Sequence, residues 1–222
     1  MQWKPLSKMC AAATLFLGLM FFGIAHADPI GPDCDTCQGS IYTLSYSGSP
    51  ISSSPTEEIF RITLDIDTSG YTGGGTRIDA VAIKVSPSVI SSSLFDAPGG
   101  VGDWDIVLGG LNAGGCSGNG GGFSCADYVA TGLGAAVGGT LSWTFDQTIA
   151  IGKLKPNDAS IKVRYVKKDE ISGSAVKVGD LVSESITLQA ATPIPEPSTV
   201  FLLGTGLLGI GLARLVKTRR ST

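Results

Sequence analysis

Along the middle of the chain apolar and polar residues alternate with period two, the mark of strands that wet one face and bury the other. The run IYTLSY at 41–46 opens the series. In EEIFRITLDID the side chains of Ile62, Leu64 and Ile66 share a face, which the adjacent pair Ile59 and Phe60 cannot both join. RIDAVAIKVS groups Val81, Ile83 and Val85, and WDIVL groups Trp104, Ile106 and Leu108. TLSWTFD lines up Leu141, Trp143 and Phe145, and SIKVRYV lines up Ile161, Val163 and Tyr165. Two shorter runs, AVKV and LVSESITL, stand on either side of Gly179-Asp180. Turn-forming clusters such as SGSPISSSP, TSGYTGGG and KPND separate these segments. No amphipathic helix of three turns appears in this region. Eight or nine short strands joined by Gly/Ser/Pro turns predict an all-β fold, a single β-sandwich compatible with a jelly-roll winding.

One stretch breaks the pattern. Residues 99–139 hold 15 of the chain's 31 glycines, centred on GGLNAGGCSGNGGGFSC. Glycine loses the most backbone entropy on ordering, so this region reads as loop and not as a tightly packed strand. Cys116 and Cys125 bracket its most glycine-rich part. A bridge closing that loop of about 10 residues stabilises by roughly 2.5–3 kcal/mol in the chain-entropy model. Cys34 and Cys37 form a second close pair. Four such cysteines in an exported chain imply two disulfides. The most local pairing is Cys116–Cys125 with Cys34–Cys37, but three connectivities exist and the sequence does not choose among them.

Export itself is read from the ends. Residues 1–27 carry Lys4 and Lys8, an apolar run from Met9 to Ile24, and Ala25-His26-Ala27. These are the three parts of a secretory signal peptide, with signal peptidase cutting before Asp28; an uncleaved anchor is the other reading. Cys10 lacks the small preceding residues that lipidation requires. At the other end, 199–216 is an 18-residue apolar stretch with one charge, Arg214. As a helix it would be roughly 27 Å long, enough to cross the hydrocarbon layer. Its ten Leu, Ile, Val and Phe residues favour insertion by on the order of 5 kcal/mol. Four glycines and Arg214, which can snorkel outward, oppose it. Arg214, Lys217, Arg219 and Arg220 hold that terminus in the cytoplasm by the positive-inside rule. With a cleaved leader in front, the middle domain, residues 28–192, is then outside.

Pro195-Glu196-Pro197-Ser198, the Gly/Leu-rich span and the terminal arginine cluster together resemble the PEP-CTERM sorting signal of Gram-negative bacteria. The resemblance covers 193–222 alone. It implies that a membrane-embedded, transpeptidase-like exosortase reads the tail in the inner membrane and cuts near the Pro-Glu-Pro. It further implies that the freed domain passes to the cell surface or extracellular matrix, alongside exopolysaccharide. The two prolines fix φ and disfavour helix in the residues before them, so the motif stands clear of the membrane as an extended strip. A plain single-pass anchor with a Pro-rich stalk is the alternative.

Charge and side-chain inventory narrow the middle domain. The whole chain carries a net −3, whereas 28–192 holds 18 acidic against 10 basic residues, a net of −8. That balance argues against nucleic acid or anionic lipid as partner and suits divalent cations or a hydrated matrix. The single histidine, His26, leaves with the leader. The mature domain therefore has no Ser-His or Cys-His nucleophile and no His-ligated metal. C-x2-C with C-x8-C is not the zinc double-knuckle spacing, and Cys34/Cys37 lack the βαβ setting of a thioredoxin-like redox pair. Asp65-Ile66-Asp67-Thr68-Ser69-Gly70 opens like a calcium loop, yet Thr76 stands where a bidentate Glu is needed. Asp65 and Asp67 are more simply the wet face of a strand. Asp103 and Asp105 flank Trp104, a pattern that could stack a sugar or place two carboxylates for glycoside hydrolysis. Trp104 and Trp143 also share their faces with aliphatic residues, which suits a core. The glycine runs are not phosphate loops, since no Lys-Ser/Thr and no helix follow. The expected protein is thus a non-enzymatic, cofactor-free, exported surface or matrix protein. A glycan-binding or weakly carbohydrate-active domain using Asp103, Trp104 and Asp105 is the alternative.

Overall fold

A computed structural model describes residues 29–31, 34–117, 120–178 and 182–191. The leader 1–27, the sorting motif and the span expected at 199–216 lie outside them. Chain order runs β1 (Ile41–Tyr46), β2 (Ser52–Ser53), β3 (Glu57–Asp67), β4 (Arg77–Lys84), β5 (Val89–Asp96), β6 (Trp104–Leu108), β7 (Leu111–Asn112) and β8 (Gly115–Cys116). It continues with β9 (Phe123–Tyr128), β10 (Ala135–Ala136), β11 (Thr140–Ala150), β12 (Ala159–Lys168), β13 (Ala175–Lys177), β14 (Val182–Ile186) and β15 (Gln189–Ala190). Helix among the described residues is confined to short 3-10 turns at Asp35–Cys37, Val101–Asp103 and Pro156–Asp158. None of them is long and apolar enough to cross a membrane. The described residues are all-β.

One sheet has the order β15-β1-β3-β11-β5, with β2 added to β3. The other has the order β13-β12-β4-β9-β6, with β10 added to β4 and β14 to β12. All pairings are antiparallel except that of β1 with β15. The ladder between β3 and β11 runs unbroken from Asp67↔Thr140 to Glu57↔Ala150. Consecutive long strands β3 and β4 lie in different sheets, as do β5 and β6, so the chain winds around the core.

That core is filled from both sheets. β3 contributes Phe60, Ile62, Leu64 and Ile66, and β11 contributes Trp143, Phe145 and Ile149. Ile78, Val81 and Ile83 of β4 meet them, with Ile161, Val163 and Tyr165 of β12. Phe60 therefore joins the Ile62 face, and Ile59 turns outward. Trp104 meets Trp143 edge-on across the sheets at 5.4 Å between ring centres. Burial of each large apolar side chain stabilises by about 1.5–3 kcal/mol. Near β1 the Tyr165 hydroxyl bonds both Tyr42 Oη and Ser40 Oγ at 2.8 Å, which satisfies three buried oxygens at the sheet interface. Tyr71 stacks on Tyr165 at 4.3 Å.

Three features depart from the sequence expectation. First, the glycine-rich region contains ordered strands. β9 is an inner strand between β4 and β6, and its inward residues Ser124 and Ala126 are too small to show a hydrophobic period. Many of the glycines lie in the turns around it. Second, VISSSLFD forms β5, an edge strand whose serine run hides the alternation. Third, Leu108 does not follow Trp104 and Ile106 into the interior but is 43% exposed at the end of β6.

The glycine-rich segment also builds a second layer. Every residue of β4 from Ile78 to Ile83 is buried, including the outward-facing Ala80 and Ala82. The β7–β8 hairpin covers them with Leu111, which packs with Cys125, Val107, Cys116 and Phe123. A disulfide between Cys116 and Cys125 pins this hairpin to β9. The second disulfide joins Cys34 to Cys37 across the first 3-10 turn, with Cys37 in the main core.

Candidate functional site

The sorting motif begins just beyond the folded domain. Ala191 donates its backbone N–H to the Tyr46 carbonyl, adjoining the short parallel pairing of β15 on β1. Four residues later comes Pro195.

Trp104 is 4% exposed and is not a sugar platform. Its ring lies edge-on to Trp143 and, at 5.2 Å, to Tyr128, and its Nε1–H donates to the Pro98 carbonyl at 2.9 Å. Asp105 points to the opposite side of β6, facing Asp127 of β9, while Asp103 sits in the preceding 3-10 turn. The strand pleat thus separates the ring from the carboxylate that sequence places beside it. The Asp103–Trp104–Asp105 reading fails on that geometry.

Asp65 and Asp67 lie on the wet face of β3, opposite Ser142 and Thr140 of β11. Hydrogen bonds from Ser69, its hydroxyl and then its backbone N–H, hold the Asp67 carboxyl below the usual carboxylate range. Asp67 is thus engaged in a turn. Among the described residues no group of three or more His, Cys, Asp or Glu side chains comes together as a metal site.

The outer face of the first sheet is open and rich in hydroxyls. At its β5 edge Phe95 is 57% exposed, and the Arg61 guanidinium carbon stands 3.3 Å from the ring centre. Asp146 grips the same guanidinium through two hydrogen bonds of 2.8 Å, which fix its plane and raise the Arg61 pKa. Thr63 and Thr144 share a hydrogen bond at 3.0 Å, and the Ser91 hydroxyl donates to Thr148 at 2.9 Å. An aromatic ring, a fixed fork of donors and a row of hydroxyls therefore share one sheet face. Sequence reasoning missed this group because its members come from three strands, one of them unrecognised.

The outer face of the second sheet is closed in and carries the hairpin. Arg164 binds Asp79 in a bidentate pair at 2.7 and 2.8 Å, with Asp127 at 3.6 Å. Arg164 also donates to the Ala113 carbonyl in the hairpin at 3.4 Å. Burial pushes the Asp79 and Asp127 carboxyls up against the opposing pull of Arg164. Further along the same face, Lys84 and Lys162 place their ammonium groups 5.6 and 5.1 Å from the centre of one ring, Phe123. Burial likewise raises the pKa of Tyr42 and of Tyr165, so both phenols stay neutral.

Comparison with known proteins bears on the tail first. Residues 193–217 match the family model of the PEP-CTERM protein-sorting motif. The chain thus carries the sorting signal of an exported, membrane-processed surface protein. No curated protein matches the chain. Among solved structures, the carbohydrate-binding module CBM3b from the cellulosomal cellobiohydrolase 9A of Clostridium thermocellum is similar at 12% identity. That match covers 61% of this chain and 94% of the other, with a TM-score of 0.32. A likeness so distant says nothing about what this chain binds.

Proposed function

We propose that the chain is the precursor of a non-enzymatic surface or extracellular-matrix protein of a Gram-negative bacterium. Signal peptidase removes 1–27, the span 199–216 and the cluster Arg214, Lys217, Arg219 and Arg220 hold the precursor in the inner membrane, and an exosortase-type enzyme cuts near Pro195–Ser198. The jelly-roll-like sandwich then stands among exopolysaccharide. The observation that carries this reading is the sorting-motif match at 193–217. The domain is read as cofactor-free and non-catalytic because its titratable clusters serve the fold: Arg164 pairs with Asp79 and lies beside Asp127, and the Tyr42 and Tyr165 hydroxyls bond one another. Intact mass of the cell-surface form is the test. It should show loss of both ends and a C-terminus within 195–198, whereas recovery of the arginine-containing tail would establish a plain membrane anchor.

A second reading, glycan binding, is supported by the Phe95–Arg61–Asp146 group on an open, hydroxyl-lined sheet face. A ring backed by a planar guanidinium offers a flat apolar surface, and the hydroxyls offer partners for sugar oxygens. Retention on insoluble neutral glucans tests it. Phe95→Ala should weaken binding about tenfold, or about 1.4 kcal/mol, for loss of one aromatic contact. Failure of the wild-type chain to bind any such polymer would end this reading.

A further inference from the structure

We propose that Lys84, Lys162 and Phe123 form a binding site for the carboxylate groups of an acidic, uronate-bearing polysaccharide. The inference rests on the exopolysaccharide reading above and gives it a ligand class. Strand register assembles the site. Lys84 lies opposite Ser160 on one side and Phe123 on the other, and Lys162 lies opposite Ala82 and Ser183. Ser185 pairs with Ser160 and extends the same outward row. Both lysine stems therefore run toward one half-buried ring, with serine hydroxyls beside them.

Three observations point to an anionic ligand. Among the described residues no carboxylate lies within 4.0 Å of either ammonium, and the ion pairs present all use arginine. Two of the ten basic residues of 28–192 converge on one ring, 5.6 and 5.1 Å from its centre, which concentrates positive charge at that spot. An anion beside the ring is attracted by both charges at once. The site is also pre-ordered: Lys162 donates to the Leu111 carbonyl at 3.5 Å, and the Cys116–Cys125 disulfide ties the hairpin to the strand that carries Phe123. Preorganisation of this kind lowers the entropic cost of binding.

The class of anion follows from the surroundings. A duplex nucleic acid or a lipid surface presents broad negative charge that a domain of net −8 repels. A single polysaccharide strand is narrow enough to meet this local positive spot alone. Successive uronate carboxylates reach the two ammonium groups, sugar C–H faces lie on Phe123, and sugar hydroxyls meet Ser160, Ser183 and Ser185.

The test uses the full chain in detergent, passed over immobilised polygalacturonate and over the same polymer with its carboxylates reduced to alcohols. The wild type should be retained by the acidic polymer and released by about 0.5 M salt, since such contacts are screened. Lys84→Gln with Lys162→Gln should weaken retention about tenfold, as expected for two solvent-facing ion pairs. The double variant should unfold at about the same denaturant concentration as wild type, as expected for substitutions of solvent-facing side chains. Equal retention on the reduced polymer, unchanged retention of the double variant, or binding to DNA as tight as to polygalacturonate would each overturn the proposal. Normal loss of both chain ends with no polyuronate binding would refute this site alone. A missing C-terminal cut with lysine-dependent binding would refute the sorting reading and support the site.

Discussion

The two outer faces of the sandwich handle the same strand geometry in opposite ways. On the first sheet β3 alternates strictly between buried and half-buried positions from Ile59 to Asp67, and its outward residues Arg61, Thr63, Asp65 and Asp67 meet solvent. On the second sheet β4 is buried at every position from Ile78 to Ile83, because Ala80 and Ala82 lie under the disulfide-pinned hairpin. Each face carries a bidentate Arg–Asp pair. The Arg61 and Asp146 side chains are 34% and 22% exposed, and those of Arg164 and Asp79 are 13% and 8% exposed. One motif thus serves an open surface in one place and a closed joint in the other, and burial sets the difference.

The largest test of that contrast is to remove each arginine in turn. Arg164→Ala leaves Asp79 enclosed without its partner, which should cost about 3–5 kcal/mol. Arg61→Ala breaks a solvent-screened pair and should cost no more than about 1 kcal/mol. Denaturant unfolding of the two variants reads the difference directly, and equal losses would mean that the hairpin does not seal the Arg164 pair. Freeing the hairpin comes next. Replacing Cys116 and Cys125 by serine should destabilise by roughly 2.5–3 kcal/mol. It should also speed amide exchange in β7 and β8 while leaving the β3–β11 ladder protected.

A smaller effect isolates one turn. Gly115 has φ +113°, and a Cβ there would stand 3.0 Å from Arg164 Nη1. Gly115→Ala should cost about 1–3 kcal/mol through backbone strain at a left-handed position. Thermal melts check it, and a neutral result would show that the hairpin can shift off Arg164.

The smallest effect separates carboxylates by location. Asp67 and Asp169, engaged by Ser69 and Ser172 in exposed turns, are held below the ordinary value. Their contribution to stability is present above the unfolded-state pKa of about 3.9 and is lost as pH falls through the folded value. Asp79 and Asp127 have raised pKa values, so their contribution is greatest at low pH and falls as pH rises through the folded value. Carboxyl carbon shifts should therefore titrate in two groups on either side of the ordinary aspartate value. Asp79 titrating below Asp67 would contradict the enclosure of the second face.

Much of the fold is legible in the sequence. β1, β3, β4, β11 and β12 show in the alternation because each sets large apolar residues against polar ones. β5 and β9 did not show: Ser91, Ser92 and Ser93 interrupt the first, and Ser124 and Ala126 give the second no apolar weight. Glycine content was misleading for the same reason, since it reports turns and says little about the short strands between them. Trp104 was ambiguous in sequence. A tryptophan between two aspartates fits either a binding platform or a core residue, and the pleat decides which side each takes. The Phe95 and Phe123 groups were invisible, because their partners come from strands distant in the chain.

By itself the sequence determined the all-β class and the C-terminal sorting motif, the one through side-chain alternation and the other through linear order. Both are properties of neighbouring residues, so no long-range contact is needed to read them. Tertiary structure alone decided which cysteines join, which arginine is enclosed and which lysines converge. Those outcomes depend on strand register across the sheets, and register is settled by the packing of the whole core.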